Sequence, residues 1–249
     1  MNTVIRTRQS SDWWNTLSLG LVAVLAFFVI WMEACSSGAP SAANTNAAVT
    51  PTTASSVGTT GSAVPASLAN AGEFGENVYD YAKANDWKNA DVKLAALRDA
   101  VKSVRTDVRN NGASVDDLNA DVAALDNAVT GKDRQAAMRE ANQVTLDVAN
   151  MTTAYKLTVP VEVTRLDYYG RELEVWAQAK DANKLLETAG KLQREWQTLR
   201  PSITAKSAAE AARFDTLVAR VGSAKTPAAY TSVATPVLNE VDNLEKLFN

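Results

Sequence analysis

The chain has 249 residues, a net charge of −3, one cysteine and no histidine. Without histidine it lacks the commonest general base and transition-metal ligand, so Ser-His-Asp, Cys-His and His-Glu-x-x-His chemistries are excluded. One cysteine cannot form an intramolecular disulfide, and the slightly acidic charge offers no basic field for nucleic acid.

The N-terminal segment has the layout of an export signal. Arg6 and Arg8 precede an uncharged, largely apolar run at 17–32, and small residues follow. This order of charge, apolar core and small residues is typical of a secretory signal, whose positive end stays in the cytoplasm. The segment therefore predicts that the rest of the chain is extracytoplasmic.

The run ends in Met-Glu-Ala-Cys at 32–35, which resembles the lipobox of bacterial lipoproteins: Leu, a small residue, Gly or Ala, then Cys. Ala34 and Met32 fit that pattern, and Glu33 departs from it. The resemblance implies a lipoprotein signal peptide over 1–34, cleavage after Ala34, and a diacylglyceryl thioether on Cys35. Further acylation, such as a palmitate on the new amino terminus, often follows. The acylated Cys35 would hold the protein on membrane lipid, and Ser36 is compatible with sorting to an outer membrane.

An uncleaved signal anchor is the alternative. Residues 16–34 approach the roughly 20 residues that span a bilayer. The apolar run is also longer than the usual signal core of about 7–15 residues. Trp13, Trp14 and Trp31 could form an aromatic belt at the two interfaces. Both interpretations hold the folded part outside the cytoplasmic membrane.

Residues 36–64 are rich in Ser, Thr, Ala, Gly and Pro and contain no charged or aromatic side chain. Such a segment cannot bury enough apolar surface to offset the entropy of ordering it. We therefore expect 35–64 to be a disordered tether that begins at the lipidated Cys35.

The remainder repeats itself. A shift of 95 residues aligns Pro65 with Pro160 and Gly75 with Gly170, together with several aromatic positions. A later shift of 93 aligns the last helix of each copy. This self-similarity predicts an internal duplication, with repeat 1 at 65–157 and repeat 2 at 158–249.

Both copies carry apolar residues at spacings of three and four, which predicts helices with one buried face. Large and small residues trade places between the copies, as close-packed cores require. The stripe of the second helix comprises Ala90, Leu94, Leu97, Val101, Val104 and Val108 in repeat 1, and Leu185, Ala189, Leu192, Trp196, Leu199 and Ile203 in repeat 2.

Caps and breakers predict about four helices in each repeat. Asp86 and Asp181 suit N-caps, although one long helix through each remains an alternative. Gly112 is expected to end the second helix of repeat 1, and Pro201 to end or bend its counterpart. The predicted helices span 66–84, 87–110, 114–130 and 134–156, then 161–179, 182–203, 207–223 and 227–248. Short connections favour an all-α fold of two tandem antiparallel bundles.

The segment Asp-Tyr-Tyr-Gly-Arg at 167–171 holds the candidate binding residues, Tyr168 and Arg171. An aromatic ring beside an arginine could form a ligand face. The neighbouring Tyr169 and Trp176 match aromatic positions of repeat 1 and are interpreted as core. No catalytic residue, metal ligand or cofactor motif is predicted.

Three hypotheses about function remain. The first is a membrane-anchored, non-enzymatic lipoprotein that binds a protein partner in the cell envelope. The alternative is a small-ligand-binding or transport-accessory lipoprotein with a pocket between the two repeats. The third, an enzyme using two inward-facing carboxylates, has no residue pair that the sequence singles out.

Overall fold

The computed structural model describes residues 63–107 and 112–248, and this part contains eight helices and no strand. The export signal, Cys35 and nearly all of the tether lie outside the described residues. The helices are α1 (Ala66–Lys83), α2 (Trp87–Asp107), α3 (Gly112–Thr130) and α4 (Arg134–Thr152), then α5 (Val161–Ala179), α6 (Ala182–Lys206), α7 (Ala208–Ser223) and α8 (Pro227–Lys246).

The helices form two closed four-helix bundles. In the first, α1 packs on α2 and α4, and α3 packs on the same two helices. In the second, α5 packs on α6 and α8, and α7 closes that ring. The bundles meet where α4 packs on α5. The predicted fold class, two tandem antiparallel bundles, is confirmed.

Each bundle has its own apolar core, and the periodic stripes of the sequence form it. Every described residue of the two second-helix stripes is at most 6% exposed. The stripe residue Val108 lies outside the described residues. Val64, which the sequence assigns to the tether, packs against the first core together with Tyr155.

The paired glycines mark close helix crossings. A Cβ atom on Gly75 of α1 would meet Cγ1 of Val144 on α4 at 3.1 Å. One on Gly170 of α5 would meet Cδ2 of Leu238 on α8 at 2.6 Å. Where the first and last helices touch, repeat 2 therefore has no room for a Cβ atom, and repeat 1 has little.

The first two helices of each repeat are separate, which resolves the open alternative of one continuous helix. Asn85 and Lys180 adopt left-handed conformations, with φ of 57° at both. The carboxylates of Asp86 and Asp181 then accept from backbone N–H groups of Asn89 at 3.2 Å and Lys184 at 3.0 Å. Such caps begin a new helix because they satisfy its free donors.

Two residues that were expected to end helices do not do so, although for Pro201 a bend was the stated alternative to an end. Pro201 lies inside α6, which continues to Lys206. The buried Leu199 and Ile203 hold the backbone on either side of it against the second core, so packing outweighs one lost hydrogen bond. Gly112 is the first residue of α3 and does not close α2.

The helix directions define two ends of the body. The described chain enters at residue 63, at the end that also holds the connection 153–160 between the repeats. The turns at 84–86, 131–133, 180–181 and 224–226 lie at the opposite end. Within the described ranges, no helix is both long and apolar enough to cross a bilayer.

Candidate functional site

The helix α5 is the central element of the molecule because both bundles pack on it. Five consecutive residues from Arg171 to Val175 are buried, three of them charged. Leu173 belongs to the second core, whereas Val175 belongs to the first. A helix in contact with two cores keeps little solvated surface along this stretch, so its charges need partners within the protein.

Arg171, a predicted binding residue, lies at the junction between the bundles and is only 3% exposed. Its Nε is 2.8 Å from Oδ2 of Asp167, one turn earlier on α5. Its Nη2 is 3.4 Å from Oε2 of Glu76 on α1, and the guanidinium carbon lies 5.0 Å from the ring centroid of Tyr79. Protein groups thus surround the arginine.

Glu174 joins three helices at the same junction. Its carboxylate accepts from the hydroxyl of Tyr79 at 2.9 Å and from Nζ of Lys83 at 2.5 Å, both on α1. It also accepts from the Thr235 hydroxyl on α8 at 3.3 Å. Burial raises the pKa of Tyr79 well above its usual value, and the nearby negative charge of Glu174 raises it further.

A polar groove of about 420 Å³ lies between the repeats, along the neighbouring stripe of α5. Tyr168, Glu172 and Trp176 of α5 line it at successive turns. Side chains of α3 and α4 form the wall on the repeat 1 side, and side chains of α6 form the wall on the repeat 2 side. The second predicted binding residue, Tyr168, therefore lies in the groove, and Arg171 does not.

Tyr168 is half-buried in the groove. Its hydroxyl donates to Oε1 of Gln143 on α4 at 3.4 Å, and its ring meets that of Tyr169 edge-on at 5.2 Å between centroids. Burial raises the pKa of Tyr168 far above its usual value, and the carboxyl groups of Glu172, Asp147 and Asp121 are further causes. Three carboxyl groups, from α3, α4 and α5, therefore lie near one phenol.

Most of the charged groove side chains are paired with each other. Nη2 of Arg139 is 2.6 Å from Oε1 of Glu140 on α4. On α6, Glu187 is 2.6 Å from Nζ of Lys191 and 3.4 Å from that of Lys184. Arg139 and Glu140 thus balance each other on the repeat 1 side, whereas Lys184 and Lys191 leave one positive charge beyond that of Glu187 on the repeat 2 side.

Glu172 and Asp147 are carboxyl groups of this region with raised pKa values, whereas a hydrogen bond from Lys191 lowers the pKa of Glu187. Burial raises the pKa of Glu172, while hydrogen bonds from the Trp176 indole and from Asn142 lower it. Burial, together with a hydrogen bond to Asp121, raises the pKa of Asp147 to about 8. Nε2 of Gln143 also donates to Asp147, at 3.1 Å.

Across the described ranges, no three His, Cys, Asp or Glu side chains are grouped to hold a metal ion. Comparison with protein families, curated proteins and solved structures finds no match to this chain. Fold and site together define an all-α protein of two tandem four-helix bundles, joined by a buried ionic junction beside a polar groove.

The sequence did not identify the groove residues on α3, α4 and α6, among them Asp121, Gln143 and Lys191. No local signal distinguishes them from an ordinary solvated helix face. They come together only because the second bundle packs on α4, and that contact is not encoded in any one segment.

Proposed function

We propose that this protein is a membrane-anchored, extracytoplasmic lipoprotein whose helical body binds an envelope partner and catalyses no reaction. The export-signal layout, Met-Glu-Ala-Cys at 32–35 and the uncharged tether support the anchor. Two or three acyl chains on Cys35 would hold it stably on a bacterial cell membrane or outer membrane, because a single chain binds only marginally.

The groove between the repeats is the observation that carries the binding role. It brings two aromatic side chains and convergent polar groups together on one concave surface, although its lining is more polar than that of most ligand pockets. Trp176 and Lys184 lie close to the turn at 180–181, at the end of the body opposite residue 63. In a chain tethered at residue 63, this part of the groove is therefore at the end of the body farther from the point of attachment.

A small-ligand-binding or transport-accessory role is the second candidate, and the size of the groove favours it. A volume of about 420 Å³ falls within the range of about 300–1,000 Å³ that is common for ligand pockets. The same surface could serve either candidate, because a groove between two repeats suits a peptide segment as well as a small molecule.

Intact-mass analysis of the protein extracted from membranes tests the anchor. An acylated Cys35 at a new amino terminus supports the proposal, and Cys35→Ala should then accumulate as an uncleaved precursor. A mature chain with a free thiol, or a chain that keeps Met1, contradicts the lipoprotein.

Site-specific photo-crosslinking in intact cells tests the binding role. A crosslinker at Gln143 in the groove should capture a defined envelope component, whereas one at Asp91, exposed on α2, should not. Identical products from the two positions, or none from Gln143, would count against a partner in the groove.

A further inference from the structure

We infer that the end of the body opposite residue 63 binds the surface of a lipid bilayer with anionic headgroups, through one exposed lysine at or beside each of its four turns. These turn lysines are Lys88, Lys132, Lys180 and Lys225. The inference rests on the proposed anchoring at a bilayer and goes beyond it, because it adds a second contact with lipid. The groove plays no part in it.

Charge is distributed unevenly along the body. Within four residues of the turns at 84–86, 131–133, 180–181 and 224–226, the chain has eight basic and four acidic side chains. Counted in the same way, the described residues at the opposite end have four of each. Because the whole chain has a net charge of −3, the positive excess is specific to one end. Such an asymmetry orients a protein toward an anionic surface.

The turn lysines are exposed and available to an external anion. Within the part of the chain that the structure describes, no ion pair and no side-chain hydrogen bond includes any of them. The acidic side chains beside them act as helix caps instead. Asp86, Asp133 and Asp181 each accept a hydrogen bond from the backbone N–H group three residues on. The fold therefore uses these carboxylates and leaves the ammonium groups unengaged.

Two of the turn lysines adopt a backbone conformation that favours other residues. Lys132 and Lys180 are left-handed, with φ of 52° and 57°. Glycine or asparagine usually occupies such a position at a helix end, and Asn85 does so in repeat 1 at the position that corresponds to Lys180. An exposed lysine gains no packing energy there. Its charge, rather than its contribution to the fold, is what distinguishes it from asparagine.

Arg134 continues the positive charge across the junction between the repeats. Its Nε donates to the backbone oxygen of Lys83 at 3.1 Å, and its Nη1 donates to Oε1 of Gln178 at 2.8 Å. Both acceptors are neutral, so these contacts leave the charge of the guanidinium uncompensated. The same contacts bring the starts of α4 and the ends of α1 and α5 together, so the positive surface extends over both repeats.

This arrangement suits a bilayer better than a soluble polyanion. The turns are only two or three residues long, so no long loop projects from this end. Packed helices lie about 8–10 Å apart, which spreads the turn lysines over the end instead of converging them on one phosphate. A polyanion strand is usually held in a basic groove, and no turn lysine lines the groove between the repeats. Lipid headgroups move laterally and can meet scattered lysines, each of which strengthens binding about fivefold.

A vesicle-docking assay with the full-length protein tests the inference. The protein is reconstituted into neutral phosphatidylcholine vesicles, which are then mixed with acceptor vesicles. Acceptors that contain phosphatidylglycerol should bind, and acceptors of phosphatidylcholine alone should not. Salt at about 1 M should release them, because it shortens the Debye length to about 3 Å. Equal binding of both acceptors would overturn the inference. Displacement by polyphosphate at a lower concentration of phosphate groups than of phosphatidylglycerol would overturn the assignment to a bilayer.

Matched variants locate the contact. Replacement of all four turn lysines by glutamine should weaken docking at least about tenfold. The control makes the same change in net charge at four exposed cations elsewhere on the body and should dock like wild type: Lys102→Gln, Lys156→Gln, Arg194→Gln and Lys246→Gln. Equal losses in the two variants, at the wild-type melting temperature, would mean that only net charge matters, and the inference fails.

A smaller variant guards against a loss of folding. Lys88→Gln combined with Lys225→Gln leaves the left-handed residues intact and should still weaken docking about fivefold or more. Docking of this double variant as strong as that of wild type would contradict a contact that uses all four turns. Flotation of the protein-bearing vesicles separates the two proposals. Protein that leaves the phosphatidylcholine vesicles contradicts the anchor, whereas protein that stays on them and docks no acceptor contradicts only the inference.

Discussion

The hydroxyl of Tyr79 donates a hydrogen bond at 2.9 Å to Oε2 of Glu174, the residue at the same position of the second repeat, 95 residues later. Glu76 and Arg171 form a second such pair, at 3.4 Å. The first helices of the two repeats are therefore parallel and at the same height. If repeat 2 had the same residues as repeat 1, Glu76 would face a second Glu and Tyr79 would face a second Tyr. The junction therefore depends on the sequence differences between the two repeats.

This junction predicts a large effect for Arg171→Met. Loss of the guanidinium leaves the carboxylates of Asp167 and Glu76 buried without their cation, which costs about 3–5 kcal/mol of unfolding free energy. Urea unfolding followed by circular dichroism measures it. Arg200→Met is the matched control, because the bidentate pair of Arg200 with Asp215 is half-exposed and screened by solvent, so its loss should cost much less. Equal losses in the two variants would contradict a structural role for the buried network.

The close crossing of α5 and α8 predicts that Gly170→Ala destabilises the protein. The new Cβ would lie 2.6 Å from Cδ2 of Leu238, and that residue is itself buried. Overpacking of this kind costs about 1–3 kcal/mol. Gly190→Ala on α6 has room, since its nearest neighbour is the flexible end of Arg194 at 3.5 Å. That control should gain about 0.5–1 kcal/mol from helix propensity, and thermal unfolding of both variants checks the sign.

The raised pKa of Asp147 predicts that the stability of the protein depends on pH. Its pKa is about 8 in the folded protein and near 4 when unfolded, so the folded state binds the extra proton. Its contribution to stability is therefore fully present below about pH 4 and is lost as the pH rises through about 8. The carboxyl group of Asp147 faces the negative charges of Asp121 and Asp117 on α3 and the phenol of Tyr168 on α5. Gln143, on the same helix as Asp147, donates a hydrogen bond to it.

Asp147→Asn should remove that loss. The variant should be more stable than wild type by about 1 kcal/mol at pH 9, after allowance for solvent screening, and nearly equal to it at pH 5. Melting temperatures between pH 5 and pH 9 measure the difference. Asp91→Asn should show no such trend. A constant offset of Asp147→Asn at all pH values would mean that the carboxyl is not protonated in the folded state.

The caps at the start of the second helices predict a smaller effect. Asp181→Ala removes the acceptor for the Lys184 N–H and should cost about 1 kcal/mol, whereas Asp181→Asn keeps an acceptor oxygen and should cost little. Chemical unfolding distinguishes the two. If Asn and Ala were equally harmful, the negative charge would matter more than the hydrogen bond.

The sequence predicts the helices well because their ends depend on local chemistry. Asp133 and Thr226 accept from N–H groups three residues on, and the apolar stripes have the helical period, so no distant contact is needed to place α4 or α8. Of the two expectations at Pro201, that it ends the helix is wrong, because burial of Ile203 in a core built by other helices keeps the chain helical. Tyr168 lines the groove, but its partners on α3 and α4 were not predicted.

By itself the sequence determined an all-α, duplicated protein and the positions of its helix starts, because periodicity and capping act within a few residues. Only the tertiary structure decided that α5 serves two cores, that Arg171 is buried in an ionic junction, and that a polar groove forms beside Trp176. The physical reason is that burial of a charge depends on which helix packs over it. Here that helix belongs to the other repeat, about 95 residues away along the chain.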